Sequence, residues 1–336
     1  MKINRLAPWG MALILLAAAV FPLNVLAETQ PPDEITPQDG PYTVFLPMVR
    51  RSSTTSPTPT PSPTIIPNPQ LGNIIDHNSI QLFEQIPDEY IQRASRIRSL
   101  FRHASVGSNI WDGVRCLGDY KQQLSNGQWV RPNYCDRGLT PQEIFYDQKY
   151  DYRSWTFEFH SPPPGQNPGW WNKVNYFVQA VDQRADLYDV MSFKFGYVDA
   201  EIGSDIDQAY FSRNPLDPYP GIEDIEALAQ RHPDKIIVHW TMGLAVAIGT
   251  PDSTSFNNQM REYARQNNIM LMDIADILSH RPDGSPCFDN QGRGLPALCT
   301  EYTEELNGGH LNARGAQRMA KAYWVLMAYL AGWQGP

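Results

Sequence analysis

From residue 97 onward, runs of consecutive apolar residues alternate with stretches whose apolar residues recur every three or four positions. Residues 97–103 (IRSLFRH), 155–160 (WTFEFH), 190–195 (VMSFKF), 235–240 (KIIVHW) and 269–273 (IMLMD) are short and rich in β-branched and aromatic residues. Each has the length and composition of a buried strand. Between them the period changes to that of a helix: up to about Leu117, over 172–185, over 221–231 with Ile222, Ile225, Leu228 and Ala229 on one face, and over 255–266. A last helix carries Ala316, Met319, Tyr323, Leu326 and Leu330 on one face, and Gly332 closes it. Strand–helix alternation of this kind predicts an α/β fold, a parallel sheet covered on both faces. Ligands of such sheets bind beyond the carboxyl ends of the strands, so reactive residues are expected just after them.

The pattern stops at the N-terminal side. Lys2 and Arg5 precede an uncharged apolar run over residues 11–20, and Val25 and Ala27 stand at the −3 and −1 positions of a small-residue cleavage site. Residues 1–27 therefore predict a signal peptide, an exported protein and a secreted or cell-surface location. The run is shorter than the ~20 residues a membrane-crossing helix needs, and Pro22 and Asn24 interrupt it, so no transmembrane anchor is expected in the mature chain. Residues 28–72 are dominated by Pro, Thr and Ser and predict an extended spacer without a core. The apolar stretch 42–49 (YTVFLPMV) inside it has no assigned role. Residues 73–336 remain for the folded domain.

Composition narrows the function. The chain is 42% hydrophobic and 11% aromatic with a formal charge of −9, which fits a globular domain and excludes a nucleic-acid partner. Its four cysteines, in an exported chain, predict two disulfides. Three pairings exist; the simplest joins neighbours, Cys116 to Cys135 and Cys287 to Cys299. Zinc is not expected at these cysteines, because none shows a short C-x-x-C type of spacing.

Two segments satisfy the strand-end rule. In His103-Ala104-Ser105-Val106-Gly107-Ser108 a serine hydroxyl sits where the first strand turns into its helix, among backbone N–H groups suited to an oxyanion. In Asn307-Gly308-Gly309-His310-Leu311-Asn312 a Gly-rich turn delivers a histidine just before the last helix. Serine is a poor nucleophile until a base takes its proton, and histidine is the natural base near neutrality. Ser105 and Ser108 also suit a helix N-cap, and Asn312 suits the cap of the last helix.

Together HASVGSNI and GGHLNARG resemble the SGNH hydrolase superfamily, the GDSL-like lipases and esterases. The resemblance implies a three-layer αβα sandwich around a mostly parallel, about five-stranded, flavodoxin-like sheet. It implies Ser105 as nucleophile, His310 as base, catalysis through an acyl-serine, and no cofactor or metal. The backbone of Ser105 or Val106, with Gly196, is the expected oxyanion hole, while His103 and Asp199 are expected around the pocket. The substrate class it implies is an ester, with acylated polysaccharide as one candidate and carbohydrate deacetylation as the reaction.

The chain departs from the family pattern at two positions. Asn307 stands where an acid usually lies three residues before the histidine; its amide can accept from the ring N–H and is the expected orienting residue, with Glu304 or Glu305, or a Ser–His dyad, as the alternatives. Val198, in Gly196-Tyr197-Val198-Asp199, replaces the Asn donor of the third block. Gly165, Asn167 and Gly169 are the candidates for the second-block Gly. These losses keep two other readings open: a non-catalytic surface module that binds glycan, and an O-acyltransferase. The acidic run Asp199, Glu201, Asp205 and Asp207 reads as a solvated loop, since it lacks the ligand spacing of a calcium loop. Trp170, Trp171, Tyr197 and Trp240 read as core or as pocket walls. His239 reads as a core histidine, and His160, His232 and His280 as loop residues.

Overall fold

The computed structural model describes residues 73–161, 164–200, 205–206, 210–211, 219–247 and 251–336. The expected signal peptide, the spacer, its apolar stretch, Glu201 and Asp207 lie outside the described residues.

The predicted strands appear as β2 (Ser99–His103), β5 (Trp155–Phe159), β6 (Val190–Phe193), β7 (Ile236–Trp240) and β8 (Leu271–Met272). They are preceded in the chain by β1 (Ile74–Ile75), which the hydrophobic pattern did not reveal. A small separate hairpin joins β3 (Gln122–Gln123) to β4 (Trp129–Val130). The main sheet has six strands in the order β1-β8-β7-β6-β2-β5, and every pairing in it is parallel. The helices are α1 (Asp88–Ala94), α2 (Val106–Leu117), α3 (Trp170–Arg184), α4 (Ile222–Arg231), α5 (Pro251–Asn267), α6 (Ile274–Leu278) and α7 (Ala313–Leu330).

Successive side chains of a strand point to opposite faces, and here both faces are apolar. Phe101, Val190 and Met272 enter one core with residues of α1, α2, α6 and α7. Their chain neighbours Leu100, Met191 and Leu271 enter a second core with residues of α3, α4 and α5. The molecule is therefore a three-layer α/β sandwich. In α7, Trp324, Tyr323 and the residues through Leu330 are all buried, so this helix lies inside a shell of other elements. Trp240 is a core residue stacked on Phe101 at 4.5 Å. No helix among the described residues is long and apolar enough to cross a membrane.

Cys116 is joined to Cys135 and Cys287 to Cys299. The first bridge ties the end of α2 to the turn after β4. The second closes the loop that follows α6.

Candidate active site

Ser105 lies between β2 and α2 with φ at 52°, a backbone region that non-glycine residues rarely adopt. Its carbonyl accepts from Ser108 N–H at 2.7 Å, which starts the helix, but its side chain makes no cap hydrogen bond. The hydroxyl instead meets His310, with Oγ 2.6 Å from Nε2. The turn presents the oxygen away from its own helix while the Ser105 and Val106 amides lie ahead of the first intrahelical hydrogen bonds.

His310 is held from several directions. Its Nδ1 is 2.7 Å from Glu305 Oε1, and its backbone N–H donates to Glu305 Oε2 at 3.1 Å. One carboxylate thus grips both the ring and the main chain of the same residue. Thr303 Oγ1 donates to the His310 carbonyl at 2.6 Å. Leu311 N–H donates to Asn109 Oδ1 at 3.0 Å, which ties the histidine loop to the helix of the serine. Gly308 makes the tight turn feasible, because a β-carbon there would lie 1.8 Å from Glu305 Oε2. The Tyr197 ring meets the His310 ring edge to face, with centroids 6.2 Å apart.

Burial alone would push the Glu305 carboxyl up. The hydrogen bonds and charge from His310, with a hydrogen bond from the Gly309 backbone, outweigh it and hold the group below the ordinary carboxylate range. The carboxylate therefore stays ionised at neutral pH. Hydroxyl, imidazole and carboxylate form a continuous relay, the arrangement in which a serine proton passes to an imidazole whose charge an acid supports.

Other expected site residues lie elsewhere. Asn307 does not occupy the acid's place beside the imidazole; its carbonyl accepts from Ala247 N–H at 3.3 Å while Glu305 makes the ring contact. Gly196 N–H donates to Asp199 Oδ2 at 2.6 Å, so that amide is engaged inside its own turn. Asp199 is turned inward, buried and paired with Lys173, rather than facing the cleft. Val198 is 54% exposed and carries no donor.

His103 is buried, with the first turn of α2 resting on it: a β-carbon at Gly107 would fall 2.3 Å from His103 Cβ. Burial, with the charges of Lys194 and Arg102, lowers its pKa to about 3, so it is neutral. His160, expected as a loop residue, is fully buried behind the strand ends. His232 pairs with Asp182 at 2.8 Å. Gly169 caps α3, where a β-carbon would meet the Trp171 ring, and a β-carbon on Gly165 would meet nothing within 4 Å.

Beside His310 opens a cleft of ≈ 280 Å³ lined by Asn109, Asp112, Tyr134, Arg137 and Glu304. Of these, the sequence singles out only Glu304, as an alternative orienting group. Asn109 and Asp112 lie four and seven positions after Ser105, so helical spacing placed them on its face. Tyr134 and Arg137 arrive through the Cys116–Cys135 bridge, which spacing alone does not orient.

No family model matches the chain, and no curated protein matches it. Among solved structures, a Bacteroides fragilis protein described as a "putative acylhydrolase" is similar at 12% identity. That match covers 70% of this chain and 91% of the other, with a TM-score of 0.37.

Proposed function

We propose that the protein is an exported serine ester hydrolase of the SGNH type. The observation that carries this reading is the relay from Ser105 through His310 to Glu305, built on a strained serine at the carboxyl end of a central strand. His310 takes the Ser105 proton as the oxygen attacks the ester carbonyl. Glu305 holds the ring in its working tautomer and supports the imidazolium. The Ser105 and Val106 amides face the developing oxyanion. Collapse releases the alcohol, which takes the proton from His310, and leaves an acyl-serine. Water activated by the same histidine then frees the acid. No cofactor takes part.

The polar lining of the cleft supports a hydroxyl-rich alcohol, and acylated polysaccharide is the proposed substrate class. Export supplies the setting: both disulfides suit an oxidising compartment, where such polymers are met.

The test is hydrolysis of p-nitrophenyl acetate by the full chain and by Ser105→Ala. The variant is expected to lose at least about a thousandfold in kcat/KM. Equal rates in the two proteins remove Ser105 as the nucleophile. Binding of an acylated glycan without hydrolysis favours the non-catalytic module.

A further inference from the structure

Away from the serine, three residues with metal-ligating groups converge at the β1 edge of the sheet. His77 follows β1, while Asp276 and His280 stand four apart on α6 and just past its end. A nitrogen from each ring and a carboxylate oxygen of Asp276 lie within 4.8 Å of one another. The two imidazoles are stacked, with centroids 3.9 Å apart and planes 10° from parallel. His77 Nδ1 is 2.5 Å from Asp276 Oδ2, and His280 Nδ1 is 3.4 Å from Asp276 Oδ1. All three side chains are about one-fifth exposed.

We propose that His77, Asp276 and His280 form a binding site for a divalent transition-metal ion of the zinc type. Two imidazoles and one carboxylate favour zinc over calcium or magnesium, which prefer oxygen alone. A zinc ion binds such groups at about 2.0–2.2 Å, so its ligand atoms stand roughly 3–3.5 Å apart in a tetrahedron. The His280–Asp276 spacing already has that value. The closer His77–Asp276 contact is a hydrogen bond that an ion replaces, and because the two ring planes are nearly parallel, one imidazole also turns so that both lone pairs reach the ion.

The support behind the ligands is in place. His77 N–H donates to Asp276 Oδ2 at 2.9 Å, and Asp276 N–H donates to Asp273 Oδ1 at 3.1 Å. His280 Nδ1 also lies 2.9 Å from the Asp276 carbonyl, a hydrogen bond the ring gives up when that nitrogen ligates the ion. Asp276 lines one cleft of ≈ 590 Å³ and His77 another of ≈ 350 Å³, and the partial exposure of all three side chains leaves the cluster open to solvent. The Arg261 and Arg318 charges act on Asp276 and weaken the affinity relative to an uncharged setting.

The consequence is a clasp. Such an ion joins the segment leading into the domain to α6. The loop after α6 runs through the Cys287–Cys299 bridge, where Leu298 N–H donates to the Ala245 carbonyl at 3.3 Å. Val246 N–H donates to the Gly308 carbonyl at 2.9 Å, inside the histidine turn.

Titrating Zn²⁺ into the metal-free full chain, followed by calorimetry and by thermal unfolding, tests the site. Saturable binding of one ion per chain is expected, with a rise in Tm. Its Kd is expected to weaken at least tenfold in His77→Ala and in His280→Gln, and to stay unchanged in His232→Ala. Co²⁺ gives a second readout on the unmodified chain, since ligation by these groups produces visible ligand-field bands. Absence of saturable binding or of those bands overturns the proposal. Equal affinity in the His77 and His280 variants, or loss in the His232 variant, overturns it as well.

Discussion

The rim of the candidate active site and the floor beneath the same strand ends use one residue type in opposite ways. At the rim, His310 is about half exposed, and each ring nitrogen has a partner: Ser105 on one side and Glu305 on the other. On the floor, His103 and His160 are buried, and the Nδ1 of each has no hydrogen-bond partner among the described residues. Lys194 and Lys173 are buried beside them, with Asp199 as the neighbouring anion. Burial, reinforced by Lys173 and opposed by Asp199, brings Lys194 down to about 7. The difference teaches that polar partners, rather than residue identity, decide whether an imidazole is a base or packing. A ring aligned between a hydroxyl and a carboxylate is equipped to move a proton, and a ring sealed among cations is kept from taking one.

The most damaging change to this contrast is removal of the rim's acid. Glu305→Gln keeps the shape but loses the charge that supports the imidazolium, and kcat/KM for p-nitrophenyl acetate is expected to fall about 10²–10⁴-fold. Glu304→Gln, at an exposed carboxylate paired with Arg137, is expected to stay within a few-fold of the parent. Equal losses in the two variants erase the distinction between the glutamates.

Gly308→Ala comes next. Its methyl group cannot coexist with Glu305 in its present place, so the carboxylate must leave the ring. Activity is expected to drop about tenfold or more while Tm changes little, and an unaltered rate means the relay tolerates the displaced acid.

The floor gives a pH signature with the sign set by its lowered pKa values. Lys194 titrates near 10.5 in an unfolded chain and at about 7 when folded. Between those values the unfolded state holds more protons, so stability rises with pH across that window. Lys194→Met is expected to flatten this slope in denaturant titrations at pH 7 and 10. Persistence of the full slope assigns it to other groups.

The smallest effect concerns acid. His103 falls to about 3 and His239, through burial, to about 4, against 6.5 for a free imidazole. Their contribution is complete above pH 6.5 and is lost as pH falls toward 4 and then 3. His103→Leu is expected to make the acid limb of the stability curve shallower. An unchanged limb shows that the His103 ring is not responsible for any part of it.

Much of this architecture was legible in the sequence because both faces of the central strands are buried. Leu100 and Phe101 point to different cores, yet both must be apolar, so β2 stands out as a continuous run. Ser105 and His310 were legible because each follows a strand or precedes a long helix at a turn. The two-residue edge strand β1 was not, since it is too short to show a period. Glu305 stayed one of two neighbouring alternatives: the Gly308-Gly309 turn folds back by an amount spacing does not encode. The inward turn of Asp199 depends on Lys173, which lies on another element and leaves no local signal.

Asn109 closes the loop between the beginning and the end of this domain, and that has a consequence for biosynthesis. The hydroxyl and imidazole of the relay are 205 positions apart in sequence. A growing chain carries Ser105 long before His310 is made, and the helix that completes the inner layer comes last of all. On the proposed reading, hydrolytic competence waits until the segment carrying His310 and α7 has been made. A nascent or prematurely terminated chain would carry the proposed nucleophile without its proposed base.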